Sequence, residues 1–237
     1  MTAVPWTGMA RLREGYRALV IGSSGGLGQA CLQALRADPR CAEVQEVSRG
    51  QPCAWDLTDA DSLVTLAVQL PGPWHLVVDA TGALTLDGQG PEKRLQELQA
   101  DRLLHNLQVN AVGPALLLQQ LSPQLARGER VIWAKLSARV GSIEDNHKGG
   151  WYGYRAAKAA LNQLMQTAAI ELVRQRPMAV VACLQPGTVR TTLSRPFVGD
   201  DALDPALSAQ RLLAVLDALQ PCARAQFVDH LGQHIPW

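Results

Sequence analysis

Ala18-Leu19-Val20-Ile21-Gly22-Ser23-Ser24-Gly25-Gly26-Leu27-Gly28 is the stretch on which the fold turns. Four apolar residues run into a glycine-rich segment, and a helical apolar pattern follows over Leu27–Ala37. The first predicts a strand and the second a helix. Between them, glycines let backbone N–H groups close on an anion, and the helix N-terminus adds partial positive charge. A glycine loop with a strand before it and a helix after it suits a dinucleotide pyrophosphate, whereas a glycine cluster alone only turns the chain.

Working outward, short apolar runs recur at Val44–Val47, Leu76–Ala80, Arg130–Leu136, Met178–Leu184 and Ala225–Val228, with a further short candidate strand at Cys53–Trp55. Helical patterns lie between them at Asp59–Leu70, Glu92–Asn106 running on towards Leu121, Gly153–Arg174 and Pro205–Leu219. Thr58 with Asp61 resembles a capping box. The alternation predicts an α/β, single-domain Rossmann-type doubly wound parallel sheet of about seven strands with helices on both faces. No repeat or linker divides residues 17–237, which read as one dinucleotide-binding catalytic domain. Residues 1–16 fit poorly and read as a partly disordered N-terminal extension, with Met9 an alternative start.

The 237 residues carry 22 basic and 21 acidic side chains, a formal charge of +1. No basic stripe is present, so nucleic acid is not expected as a partner. No run of about eighteen apolar residues offers a membrane span. The first residues lack a signal-peptide core. A cytoplasmic protein is expected. The five cysteines are widely spaced without C-x-x-C, which indicates neither a disulfide framework nor zinc. His230 and His234 lie four apart, but in a glycine-containing tail with no glutamate between them, and no metal is expected there.

After the second predicted strand come Val47-Ser48-Arg49. A carboxylate here would accept the ribose hydroxyls of NAD. Ser48 offers a 2′-phosphate no repulsion, and Arg49 can pair with one, so NADP(H) is favoured over NAD(H). Further on, Tyr154-Arg155-Ala156-Ala157-Lys158 sits in a long helical pattern, which brings phenol and ammonium to one face. A nearby Lys⁺ lowers the phenol's pKa and fits it to exchange a proton with a carbonyl oxygen.

The spacing Gly22-x-x-x-Gly26-x-Gly28 followed by Tyr154-x-x-x-Lys158 resembles the short-chain dehydrogenase/reductase family from about Arg17 to the end. Ile21 stands where the family has threonine. "SARVGSI", the Asp-Asn-His-Lys-Gly-Gly-Trp loop, "PGTV" followed by "LSRPF", and the terminal "IPW" narrow the resemblance to the C-factor and sniffer-like carbonyl reductases. It implies cofactor contacts from Gly22, Ser24, Gly26, Leu27, Gly28 and Arg49. Asp56 and Leu57 would meet the adenine, and Asp79-Ala80-Thr81-Gly82 replaces the family's Asn-Asn-Ala-Gly. Pro186, Gly187, Val189 and Thr191 would hold carboxamide and diphosphate, beside Tyr154 and Lys158. Asn110 is either the family asparagine that positions a relay water or a residue of a helix kink.

The family serine that holds the substrate carbonyl does not transfer directly. Aligned on S-x-x-G, its position becomes Ala138, and Ser137 is the first candidate, with Ser142 the alternative. Leu193–Leu203 would form a substrate lid. Trp151, Tyr152 and Phe197 read either as lining of an apolar pocket or as ordinary core or interface aromatics. The resemblance implies an NADP(H)-dependent oxidoreductase that reduces a small-molecule carbonyl to an alcohol, working as a homodimer or homotetramer. The alternative is an NAD(P)-binding signalling or scaffold protein with vestigial catalysis.

Overall fold

Continuous apolar runs become strands buried on both sides. The computed structural model describes residues 6–195 and 202–237. Among these, the strands are β1 (Tyr16–Ile21), β2 (Cys41–Val47), β3 (Leu76–Asp79), β4 (Val131–Leu136), β5 (Ala179–Gln185) and β6 (Gln226–Asp229). They form one parallel sheet in the order β2-β1-β3-β4-β5-β6. Alternation then sorts the side chains. Leu19, Ile21, Val77, Trp133, Val181 and Cys183 face α2 (Ala60–Val68), α4 (Gly113–Leu121) and α5 (Tyr152–Gln175). Ala18, Val20, Val78, Ile132, Ala134 and Ala182 face α1 (Gly26–Arg36) and α6 (Pro205–Ala218). Each fully buried Leu, Ile or Val contributes about 1.5–3 kcal/mol. Because β1 lies between β2 and β3, the connections diverge at its end and open a crevice at the carboxyl edge of the sheet.

The two edges differ. Strand β2 is largely uncovered and carries Glu43, Gln45 and Glu46, with ion pairs from Arg17 to Glu43 (2.7 Å) and Arg36 to Glu46 (3.0 Å). Beyond β6 the tail folds back antiparallel, where Ile235 N–H donates to the Phe227 carbonyl and Asp229 N–H to that of Gln233, each at 2.9 Å. Trp237 stacks on Phe227 with ring centroids 5.4 Å apart.

Four features depart from the sequence reading. Among the described residues the sheet has six strands, not seven: Cys53–Trp55 stays irregular, preceded by Pro52, which has no N–H for a ladder. Instead Trp55 Nε1 donates to the Ser48 carbonyl at 2.7 Å. The cap of α2 is Asp59, which accepts from Asp61 and Ser62 N–H; Thr58 instead bonds to Asp56. The helix expected from Glu92 begins only at α3 (Ala100–Leu107) and reaches α4 through a π-helical turn, Gln108–Val112. Met9, Leu12 and Tyr16 reach into the core: all three are buried, and Asp38 accepts from Met9 N–H (2.8 Å) and the Tyr16 hydroxyl (2.7 Å).

Candidate active site

At the carboxyl edge the glycine loop is tied to β2 by its backbone. Gly22 and Ser23 N–H both donate to the Val47 carbonyl, at 2.8 and 3.0 Å, so the hydroxyl lost with Ile21 is not needed for that tie. Gly22 has φ +81°, and a Cβ on Gly28 would fall 2.1 Å from the Gly22 carbonyl oxygen. A Cβ on Gly26 would meet Thr191 Cγ2 at 2.9 Å, so the segment after β5 lies over the loop. Helix α1 is preceded by Gly25, which offers no side-chain cap and leaves the helix's first N–H groups to an external acceptor.

Beside the loop, Ser23, Ser24, Gln29, Arg36, Glu46 and Ser48 line a cavity of about 290 Å³. Its one carboxylate, Glu46, is paired with Arg36. Arg49 is exposed next to Ser48. Asp56 is also exposed, and its Oδ1 accepts from Thr58 N–H (2.7 Å) and hydroxyl (2.6 Å). Those bonds, helped by the charges of Arg49 and His105, hold its carboxyl below the usual range. Leu57 packs against Gly113, where a Cβ would sit 2.5 Å from the Leu57 carbonyl oxygen.

Helix α5 presents the phenol and ammonium. Trp151, with φ +54°, precedes it, and Glu92 holds its first turn: the Glu92 carbonyl accepts Trp151 N–H and Oε2 accepts Gly153 N–H at 3.0 Å. The residue expected to start a helix thus anchors a different one. Tyr154 packs edge-on against Trp151, and Lys158 Nζ lies 5.5 Å from the Tyr154 ring centroid and donates to the Leu136 carbonyl at 3.2 Å. Burial raises the Tyr154 pKa, against the sequence expectation of a lowered one. The same burial, with the Lys135 charge behind it, pushes Lys158 down to about 7.

Asn110 sits in the π-helical turn, the place that the helix-kink reading gives it. Its Oδ1 accepts Ala83 N–H at 3.0 Å, and its Nδ2 donates to the Ala83 carbonyl at 2.9 Å. A Cβ on Gly82 would come within 3.0 Å of Asn110 Oδ1 and 3.5 Å of Lys158 Nζ, so Asn110, Gly82 and Lys158 converge. The serines do not join them through free hydroxyls. Ser137 Oγ donates to Asn162 Oδ1 at 2.6 Å, while Ser142 Oγ accepts Asp145 N–H (3.0 Å) and faces the Trp237 carbonyl (3.4 Å).

Sequence reasoning missed Lys135. It is fully buried on β4 opposite Asp79 on β3 and donates to Asp79 Oδ1 (2.9 Å), Thr81 O (2.7 Å) and Thr81 Oγ1 (2.9 Å). A lone lysine in "VIWAKL" and a lone aspartate in "LVVDA", both at strand ends, were the available signal. The pair fixes Thr81 and Ala80 at the floor of the crevice, next to Gly22. On the far side, the Pro186 carbonyl accepts from the Ser208 hydroxyl at 2.8 Å, and a Cβ on Gly187 (φ +84°) would meet the His230 ring and Leu203 Cδ1, each at 2.8 Å. Val189 is buried and pairs with Leu203. Tyr152 is 36% exposed, and Phe197 lies outside the described residues.

Known proteins share this fold. A family model described as "Enoyl-(Acyl carrier protein) reductase" matches residues 30–227. The C-signal protein of Myxococcus xanthus is 36% identical over 131 residues, 54% of this chain and 75% of its own. The NADPH-bound carbonyl reductase from chicken fatty liver superposes with TM-score 0.83 over 100% of both chains at 19% identity. The carbonyl reductase Sniffer of Drosophila melanogaster does so with TM-score 0.78, covering 95% of this chain and 100% of its own at 21% identity. With a family model matched over most of its length, a glycine cradle after β1 and a Tyr154–Lys158 pair on α5, the chain belongs to the short-chain dehydrogenase/reductase family of NAD(P)-dependent oxidoreductases.

Proposed function

We propose that the chain reduces aldehydes, ketones or quinones to alcohols with NADPH. The observation that carries this is the meeting of Tyr154, Lys158 and Asn110 beside a glycine cradle at one end of the sheet. Bound NADPH would supply a hydride, with both electrons, to the carbonyl carbon. Tyr154 gives its proton to the carbonyl oxygen, which balances the reaction as alcohol and NADP⁺. Lys158, held by the Leu136 carbonyl, would bind the nicotinamide ribose and offset the burial that raises the phenol's pKa. Asn110 fixes the Ala83 backbone and would position a water towards Lys158.

Gly22, Ser24, Gly26, Leu27 and Gly28 would cradle the diphosphate, with Thr191 closing over it. Arg49 and Ser48 beside the cavity support the 2′-phosphate of NADP(H), since Glu46 is already neutralised by Arg36. Asp56 and Leu57 would border the adenine, and Ala80, Thr81, Gly82, Pro186, Gly187 and Val189 the nicotinamide half. Leu104, Val112, Leu164 and Ile170 are exposed on α3 to α5, which supports a homodimer or homotetramer built through those helices. Among the described residues no helix is long and apolar enough to cross a membrane, and we place the protein in the cytoplasm.

Ala138 favours a second reading, a dinucleotide-binding signalling protein that keeps little catalysis. NADPH oxidation over a panel of aldehydes, ketones and quinones separates the two. We expect turnover in the wild type that Tyr154→Phe abolishes. A Tyr154→Phe variant with full turnover removes the proton-donor assignment, and NADPH binding without turnover in either protein supports the second reading.

A further inference from the structure

As hydride reaches a carbonyl, charge gathers on an oxygen with two lone pairs, and each is best met by a positioned donor. Tyr154 meets one. For the other, each nearby serine is already engaged: Ser137 gives its single proton to Asn162, and Ser142 lies between Asp145 N–H and the Trp237 carbonyl. Ala138 has no polar group at all.

Gln185, the last residue of β5, stands next to this gap. Register pairs Leu136 with Leu184, and Ser137 N–H donates to the Leu184 carbonyl at 2.8 Å. Alternation places Gln185 on the same side as Cys183, the face covered by α5. Its Oε1 accepts Arg139 N–H at 3.1 Å. A backbone N–H can only donate, so this bond fixes the amide: oxygen towards Arg139, Nε2 and its two protons turned away. Gln185 is part-exposed, and Nε2 has no hydrogen-bond partner among the described residues. On the other flank, Leu136 accepts from Lys158, and a Cβ on Gly141 would lie 2.9 Å from the Lys158 backbone. The segment Leu136–Gly141, with Ala138 in it, thus touches Lys158 at both ends and the Gln185 amide at Arg139.

We propose that Gln185 Nε2 donates the second hydrogen bond to the substrate carbonyl oxygen, in the place that the Ala138 side chain leaves empty of donors. This rests on the carbonyl-reductase reading above. The amide transfers nothing: hydride goes to carbon, the Tyr154 proton goes to oxygen, and Gln185 stabilises the charge that forms between.

The test is steady-state NADPH oxidation with 9,10-phenanthrenequinone and 4-nitrobenzaldehyde. Gln185→Glu keeps an oxygen for Arg139 N–H and removes the donor, and Gln185→Leu removes both. Loss of one such donor lowers kcat about tenfold to a thousandfold. We expect both variants to fall in that range with unchanged NADPH affinity by fluorescence titration. Adding Ala138→Ser to Gln185→Leu should restore most of kcat, which a merely structural glutamine would not allow. Wild-type kcat in Gln185→Glu, or no rescue by Ala138→Ser, overturns the assignment. If those variants turn over normally while Tyr154→Phe is inactive, this inference falls and the reductase reading stands. A wild type that oxidises no NADPH with either carbonyl ends both.

Discussion

The buried Asp79–Lys135 pair is open to a double-mutant cycle. Lys135→Met leaves the Asp79 carboxylate without its cation, with only Thr81 N–H (2.9 Å) and hydroxyl (2.6 Å) as donors, since Oδ2 has no partner. Breaking one side of a buried pair costs about 3–5 kcal/mol. Asp79→Asn is bounded differently. Lys135 keeps both Thr81 oxygens, and burial already lowers its pKa, so it can shed its proton. Holding a lysine neutral at pH 7, against an unfolded value near 10.4, costs at most about 5 kcal/mol. The double variant removes both charges and orphans chiefly the Thr81 carbonyl, a loss of about 1–3 kcal/mol. With mid-range losses of about 4 kcal/mol for Lys135→Met and about 2 kcal/mol for the double variant, the single losses exceed the double by about 2 kcal/mol even where Asp79→Asn costs nothing, within the range of measured couplings in buried networks. Urea unfolding followed by tryptophan fluorescence reads this, because Trp133 lies buried on the same strand two residues away. If the single losses sum to the double within about 0.5 kcal/mol, the two residues act independently and the reasoning fails.

Two further outcomes follow from the site. Lys158 has its pKa at about 7 in the folded chain, below the unfolded value, so the unfolded state binds more protons from there up to about pH 10.4 and stability rises with pH across that window. Lys158→Met should thus be more stable than wild type by as much as about 5 kcal/mol below pH 7, with the gain fading towards pH 10.4; thermal unfolding across that range checks it, and a gain that grows with pH refutes it. Arg49→Ser should weaken kcat/KM for NADPH about tenfold or more, the worth of a charged hydrogen bond, and leave NADH unchanged; equal losses with both cofactors would remove the 2′-phosphate assignment.

Much of the fold was legible because parallel strands buried on both faces read as unbroken apolar runs, and β1, β4 and β5 each carry four or more such residues in a row. Residues 9–15 were not. Met9 and Leu12 are isolated apolar residues among Gly, Arg and Glu, and their burial depends on Asp38, which is distant in sequence. The start of α3 was misread because Glu92 and its neighbours look helical, yet Glu92 spends its carboxylate on the first turn of α5. At the site, glycine spacing and Tyr154-x-x-x-Lys158 are local patterns and could be read directly. The direction of a hydroxyl could not: strand alternation sends Ser137 to Asn162, and only three-dimensional packing reveals it. Gln185 and Lys135 escaped for the same reason, each defined by a partner on a neighbouring strand or loop.

The sheet's two edges bear on how the protein behaves at high concentration. An open strand edge is a template for adding another chain. On one side the acidic, ion-paired β2 would bring like charges together if two copies paired there. On the other the chain's own tail already occupies the hydrogen-bonding positions of β6 and seals them with the Phe227–Trp237 stack. One edge is guarded by repulsion and the other by occupation, so neither invites a second copy to extend the sheet, and loss of the last three residues would reopen a route to aggregation.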